Sequence, residues 1–266
     1  MIEDTARVSV AGRQLSIACA RRDAGPDLLL MLHGLGCAKE SYRAAFESAA
    51  LADYSLCAMD LPGHGASDSM GGASTIDDFG SVVVEVARRC GGSRLHLVCH
   101  SLGGAVGLVA AQELPVRSFV NIEGNMVPGD CGIVSRQTAA QPLGEFVATG
   151  FDTFVASLRA SADDAARVWA EWYAACDPAA IHAAAGSLVE ISDSSKLLAV
   201  FLEQRHARYV HGERSDVGHL LPHLRVGMVA VIPRAGHFPM IDNPDALWAV
   251  VADTVRHVTD PVDARH

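Results

Sequence analysis

A serine, a histidine and a carboxylate together perform nucleophilic chemistry at a carbonyl carbon, and this chain holds all three where the fold would expose them. Ser101 lies in Leu95-His96-Leu97-Val98-Cys99-His100-Ser101-Leu102-Gly103-Gly104-Ala105, where an apolar, strand-like run meets a glycine-rich helix start. A serine at such a junction sits on a sharp turn, and the two glycines let the helix pass close to the strand. The competing reading is a buried serine that caps the helix. His237 lies in the loop Pro233-Arg234-Ala235-Gly236-His237-Phe238-Pro239-Met240. An imidazole with an ordinary pKa of about 6.5 takes and returns a proton near neutrality. The carboxylate that orients it has two candidates: Glu123, after the apolar run 118–122, and Asp216, in Gly212-Glu213-Arg214-Ser215-Asp216.

The elements that must position these groups are legible as alternation. Residues 8–10 and 14–20 form an opening hairpin around Ala11-Gly12, and short apolar runs follow at 28–32, 55–59, 95–99, 118–122, 208–211 and 228–232. Helical periodicity fills 41–51, 75–90, 102–113 and 245–257. The pattern predicts an α/β fold, a mostly parallel central sheet with helices on both faces. Ligands of such sheets bind outside the carboxyl ends of the strands, where Glu123 stands, and of the two carboxylates Glu123 is the preferred acid. Roughly 80 residues separate the runs at 118–122 and 208–211, too many for a simple loop. Helical patterns at 146–158, 163–175 and 179–191, with a stop and restart at Asp177-Pro178, predict an inserted helical lid over 125–205. The core domain is then 1–124 and 206–266.

Composition narrows the partners. With 266 residues, 50% hydrophobic and 20% charged, the chain has enough apolar sequence for one large core. A net charge of −10 works against nucleic acid and anionic membranes and suits a small-molecule, ester-like substrate. Seven scattered cysteines, an odd number with no Cys-x-x-Cys pair, read as reduced thiols in a cytoplasm. No apolar run approaches the roughly 20 residues of a membrane span. Neither a cofactor nor a metal is expected: His219 and His223 stand four apart, but Pro222 breaks the helix and no acidic helper adjoins them. Oligomeric state is not legible.

Four blocks, in order, resemble the serine-nucleophile members of the α/β-hydrolase superfamily, and the resemblance covers nearly the whole chain outside the lid. The Ser101 segment is similar to the nucleophile elbow Gly-x-Ser-x-Gly, with Cys99 in place of the first glycine. Met31-Leu32-His33-Gly34-Leu35-Gly36 resembles the oxyanion loop, and Asp60-Leu61-Pro62-Gly63-His64-Gly65-Ala66-Ser67 the family's structural turn. The loop around His237 stands where the family has its catalytic histidine. The resemblance implies Ser101 as nucleophile, His237 as base, and the Leu35 and Leu102 N–H groups as oxyanion donors. It places the acid most often one residue before Asp216, where this chain has Ser215; haloalkane dehalogenases and zearalenone lactonases in some branches draw it from the strand that here ends at Glu123. His100 reads as a packing residue facing away from the reaction. Met126, Trp172, Phe238 and Met240 are weak candidates to line an apolar pocket, as are Trp169 and Tyr173, although packing within the lid accounts equally for the aromatics. The implied reaction is cleavage of an ester, lactone or thioester of a small apolar substrate. Carbon–carbon hydrolysis, acyl transfer, a lyase reaction or a noncatalytic ligand-binding role remain as alternatives.

Overall fold

The computed structural model describes residues 1–71, 73–91 and 94–259. Eight strands form one sheet: β1 (Ile2–Val10), β2 (Arg13–Arg22), β3 (Asp27–Leu32), β4 (Ser55–Met59), β5 (Arg94–His100), β6 (Val116–Ile122), β7 (Ala207–Gly212) and β8 (Val229–Ile232). Their order is β1-β2-β4-β3-β5-β6-β7-β8, with β1 and β2 antiparallel and every pairing from β4 to β8 parallel. The hairpin strands are longer than their apolar cores, because the ladder from Ile2–Arg21 to Val10–Arg13 extends into exposed polar residues that carry no hydrophobic signal.

Strand β3 shows how the sequence builds two cores. Leu28, Leu30 and Leu32 pack on one face of the sheet with α1 (Ile76–Cys90) and α2 (Leu102–Ala110). Leu29 and Met31 pack on the other, with the helix Pro244–Thr259. A period of two thus divides a continuously apolar strand between opposite faces. Helix α1 opens on a reciprocal box, in which the Thr75 hydroxyl accepts the Asp78 N–H and the Asp78 carboxylate accepts the Thr75 N–H, and it closes on Gly91 at φ 68°.

Between β6 and β7 the chain forms α3 (Ile133–Ala140), α4 (Phe151–Arg159), α5 (Asp164–Tyr173), α6 (Pro178–Asp193) and α7 (Lys196–Glu203), followed by the C-terminal α8 (Pro244–Thr259). Helices α3 and α7 were not among the sequence expectations. The expected helix over 41–51 is instead short helical turns at Lys39–Tyr42, Arg43–Glu47 and Ala49–Leu51. Residues 260–266 of the expected core lie outside the described residues. No described helix is long and apolar enough to cross a membrane.

Candidate active site

The carboxyl ends of β3, β5, β6 and β7 and the loop after β8 meet at one cavity of about 470 Å³. Ser101, at the end of β5, has φ 51° and ψ −120°, a region that non-glycine residues rarely occupy. Packing imposes this bend. The Ser101 N–H donates to the Ile122 carbonyl at 3.0 Å, and the Ser101 carbonyl accepts from Gly104 at 2.8 Å. At Gly103 a Cβ would lie 2.3 Å from the Leu32 carbonyl oxygen, so only glycine fits. Cys99 takes the first elbow position because Gly107, one helical turn onward, vacates the space: a Cβ there would stand 2.5 Å from the Cys99 sulfur. Ser101 is half-buried, and its Oγ hydrogen-bonds no other described residue.

Glu123, the residue after β6, has φ 47°, a second strained position, and its N–H donates to the Val210 carbonyl at 3.0 Å. Its carboxylate is buried and fully engaged. Oε2 accepts the His237 Nδ1–H at 2.8 Å, and Oε1 accepts the Gly212 N–H at 2.8 Å. Burial alone would raise its pKa, but hydrogen bonds from His237, Ser215 and Gly212 outweigh that and hold it below the usual carboxylate value. With Nδ1 committed to Glu123, the free nitrogen of His237 is Nε2. Asp216 does not reach His237; it is exposed on the loop and accepts the Gly218 N–H. Ser215, at the position where the family most often has its acid, stands near enough to Glu123 to help hold its carboxyl down.

His100 does not face away from this cavity, contrary to the sequence expectation. It is buried yet borders the cavity, its Nε2–H donates to the His237 carbonyl at 2.9 Å, and its ring lies 4.8 Å from that of His237. Burial and the neighbouring His237 push its pKa down to about 3. The side chain at this elbow position is turned sideways, against the loop that carries His237. That loop is also held from below, since Asp242 accepts the Gly236 N–H at 2.7 Å and the Arg214 guanidinium at 2.9 Å.

Four hydrogen bonds fix the segment 32–35. His33 donates Nδ1–H to the Gly34 carbonyl at 2.8 Å and accepts the Leu61 N–H at Nε2 at 3.0 Å, which joins this segment to the turn 60–67. Tyr42 donates to the Leu32 carbonyl, and the Trp169 indole to the Leu35 carbonyl. Within the turn, Asp60 accepts the Ala66 N–H, and at Gly65 a Cβ would stand 2.4 Å from that carboxylate. The Leu35 N–H meets no acceptor among the described residues. Leu102 opens α2, where first-turn N–H groups lack intrahelical partners. Of the expected pocket-lining residues Phe238 borders the cavity, whereas Met126 and Met240 are buried in the two cores and Trp172 packs against the second. Hydrophobicity marks these side chains for burial without saying against what. Trp169, also a candidate, does line the cavity; Tyr173 does not. His219, four residues before His223, has Asp130 as its partner, 2.7 Å away and 89 residues earlier. Among the described residues no cluster of three or more metal-binding side chains occurs.

The model of the alpha/beta hydrolase family matches residues 29–250. Two curated relatives match shorter stretches. The dihydrolipoyllysine-residue acetyltransferase component of the acetoin cleaving system of Cupriavidus necator is 32% identical over 104 residues, 39% of this chain and 27% of that protein. The magnesium-chelatase 30 kDa subunit of Rhodobacter capsulatus is 30% identical over 139 residues, 48% of this chain and 49% of that protein. The matches thus span between a quarter and a half of those relatives. Solved structures agree over the whole chain at lower identity. A thermophilic esterase from Thermogutta terrifontis superposes with TM-score 0.78 at 18% identity, covering 97% of this chain and 100% of that one. The N-acyl homoserine lactonase AidH bound to N-butanoyl homoserine gives 0.77 at 17%, covering 98% of each. E-2-(acetamidomethylene)succinate hydrolase gives 0.71 at 21%, covering 96% and 100%. At these identities the agreement is one of fold.

Proposed function

The chain belongs to the α/β-hydrolase family, and from that premise we propose that it hydrolyses a carboxylic ester, lactone or thioester through an acyl-enzyme on Ser101. The observation that carries this reading is the Glu123–His237 contact of 2.8 Å on the same cavity as a serine held at φ 51°. Ionised Glu123 keeps the proton on Nδ1 of His237, so Nε2 is free to take the Ser101 proton as Oγ attacks the carbonyl carbon. The resulting oxyanion is received by the N–H groups of Leu35 and Leu102. Each such donor elsewhere contributes roughly 2.7–4 kcal/mol to the transition state. Protonated His237 returns its proton to the leaving group, and water, activated by the same nitrogen, releases the acid. Glu123, and not Asp216, is the triad acid. His100 is a positioning residue that holds the backbone of His237. The helical segment 125–205 serves as a lid, and α5 contributes Trp169 to the cavity roof.

The test is labelling with a fluorophosphonate followed by peptide mass spectrometry, together with the burst of p-nitrophenol from a p-nitrophenyl ester. The adduct is expected on Ser101, with no burst from Ser101→Ala. An adduct on another residue, or a burst that survives Ser101→Ala, overturns the assignment.

A further inference from the structure

The cavity beside Ser101 has two walls of different chemistry. One runs from Leu35 to Trp169 and Phe238: the Trp169 indole donates to the Leu35 carbonyl at 3.1 Å, and its ring lies 5.5 Å from that of Phe238. The other is built from Asn125, Asp130 and His219. Asn125 Nδ2 donates to the Asp130 carbonyl at 2.7 Å, and Asp130 Oδ1 accepts the His219 Nε2–H at 2.7 Å. Asp130 Oδ2 accepts the N–H groups of Met126 and Val127 at 2.7 and 2.9 Å. Acyl transfer at Ser101 needs none of this wall.

The wall is fixed by its own contacts. Asp130, with a side chain only 6% exposed, fixes the His219 ring through Nε2. Gly129 lies against the Cγ–Cδ2–Nε2 edge, so close that a Cβ would stand 2.4 Å from Cδ2. Nδ1, on the opposite edge, is the remaining polar atom of the ring and has no partner among the described residues. Asn125 is 3% exposed, borders the same cavity and leaves Oδ1 without a hydrogen bond. Charge narrows the ligand. The carboxylates of Glu123, Asp130 and Asp216 line the cavity against the guanidinium of Arg214, which is already paired with Asp242 at 2.9 Å. An anionic substituent would enter against excess negative charge. A secondary amide is neutral and offers both an N–H and a C=O, so it can satisfy Nδ1 whether that atom accepts or donates.

We propose that the Asn125–Asp130–His219 wall is a subsite for a neutral secondary amide carried by the substrate, with His219 Nδ1 as its hydrogen-bond partner, while the Trp169–Phe238 wall takes hydrocarbon. The substrate class is then an amide-bearing ester, lactone or thioester, and the inference rests on the hydrolysis at Ser101 proposed above. One direct hydrogen bond between neutral partners corresponds to a discrimination of about fivefold to tenfold.

The experiment compares kcat/KM for p-nitrophenyl 3-acetamidopropanoate and p-nitrophenyl hexanoate, whose acyl chains match in length. Each rate is divided by that ester's hydroxide-catalysed rate. In the wild type the normalised amide-to-alkyl ratio is expected to exceed one by about fivefold or more. His219→Phe is expected to bring it near one, and His219→Gln, which keeps a donor and an acceptor, to restore part of the preference. A wild-type ratio at or below one overturns the subsite even if neither variant folds, and so does a fall of both esters together in His219→Phe. No turnover of either ester by the folded wild type overturns the hydrolase reading itself, and this inference with it.

Discussion

Lowering the pH from 8 to 5 should remove much of the stability of this fold, because three histidines are buried without the means to carry charge. His33, His64 and His100 are at most 1% exposed, and burial lowers their pKa values to about 4, 3 and 3. In the unfolded chain each titrates near about 6.5. Between those values the unfolded state binds protons that the folded state refuses, so stability rises with pH. The contribution is fully present above about 6.5, is lost as the pH falls, and is gone once the folded values are passed. At pH 5 the folded imidazoles are still neutral. Each therefore costs about 1.36 kcal/mol per unit over 1.5 units, or ~2 kcal/mol, and the three together ~6 kcal/mol, against a typical total of about 5–15. Because pH 5 lies above all three folded values, the sum hardly depends on how low those values are. His96, also lowered by burial beside Asp27, acts in the same direction. Glu123 acts in a lower window: its depressed carboxyl adds stability above the ordinary value of about 4.5, which is lost as the pH falls through the folded value. Urea unfolding followed by circular dichroism at pH 8, 6.5 and 5 measures the loss. His64→Gln is the informative variant, since His64 packs on His33 and Phe79 and does not border the cavity. It should reduce the loss by about a third. A total loss below about 2 kcal/mol, or an unchanged loss in His64→Gln, would refute the reasoning.

Three further outcomes are expected. Glu123→Gln should lower kcat for a p-nitrophenyl ester by about 10⁴, whereas Asp216→Asn should lower it by less than about tenfold; the reverse order in steady-state kinetics would move the acid to the loop after β7. Gly107→Ala should destabilise by about 1–3 kcal/mol, since the new methyl group meets the Cys99 sulfur, and adding Cys99→Gly should recover most of that in a thermal-melt double-mutant cycle. Additive losses would refute the proposed compensation. Native alkylation with iodoacetamide should add one label by intact mass, at Cys90. It is the partly exposed cysteine, its thiol is pulled down by its hydrogen bond with Cys57 and by Arg21, and the other six are buried. A label on any other cysteine in the folded protein would contradict this burial.

The parallel strands were legible because burial on both faces writes them as uninterrupted apolar runs; Ser101 and His237, which line one cavity, each follow such a run at a turn. The acid was legible only as a preference for Glu123, for a physical reason. Strands β6 and β7 are neighbours, paired from Phe119–Ala207 to Ile122–Val210, so Glu123 and the loop 213–216 open onto the same crevice. A histidine arriving after β8 is within reach of either strand end, and sequence order alone cannot say which carboxylate it meets. What favours Glu123 is a set of contacts on its carboxylate: the Gly212 N–H of β7 holds Oε1, His237 Nδ1 meets Oε2, and the nearby Ser215 hydroxyl helps hold the carboxyl down. Ser215 is therefore more than a missing acid. A second carboxylate at that position would face Glu123 across the same imidazole, and like charges so close would drive one of them to take up a proton. A hydroxyl there carries no charge and helps hold the carboxyl down instead. The same long-range logic hid the Asp130–His219 pair, whose members are 89 residues apart and belong to no common periodic pattern. Cys99 and Gly107 show it over a shorter distance: the departure from the elbow motif at one position is intelligible only through the space vacated at another. The motif is in effect a packing condition on a strand and the helix behind it, and sequences that meet the condition by different pairs of residues will place the same serine at the same bend.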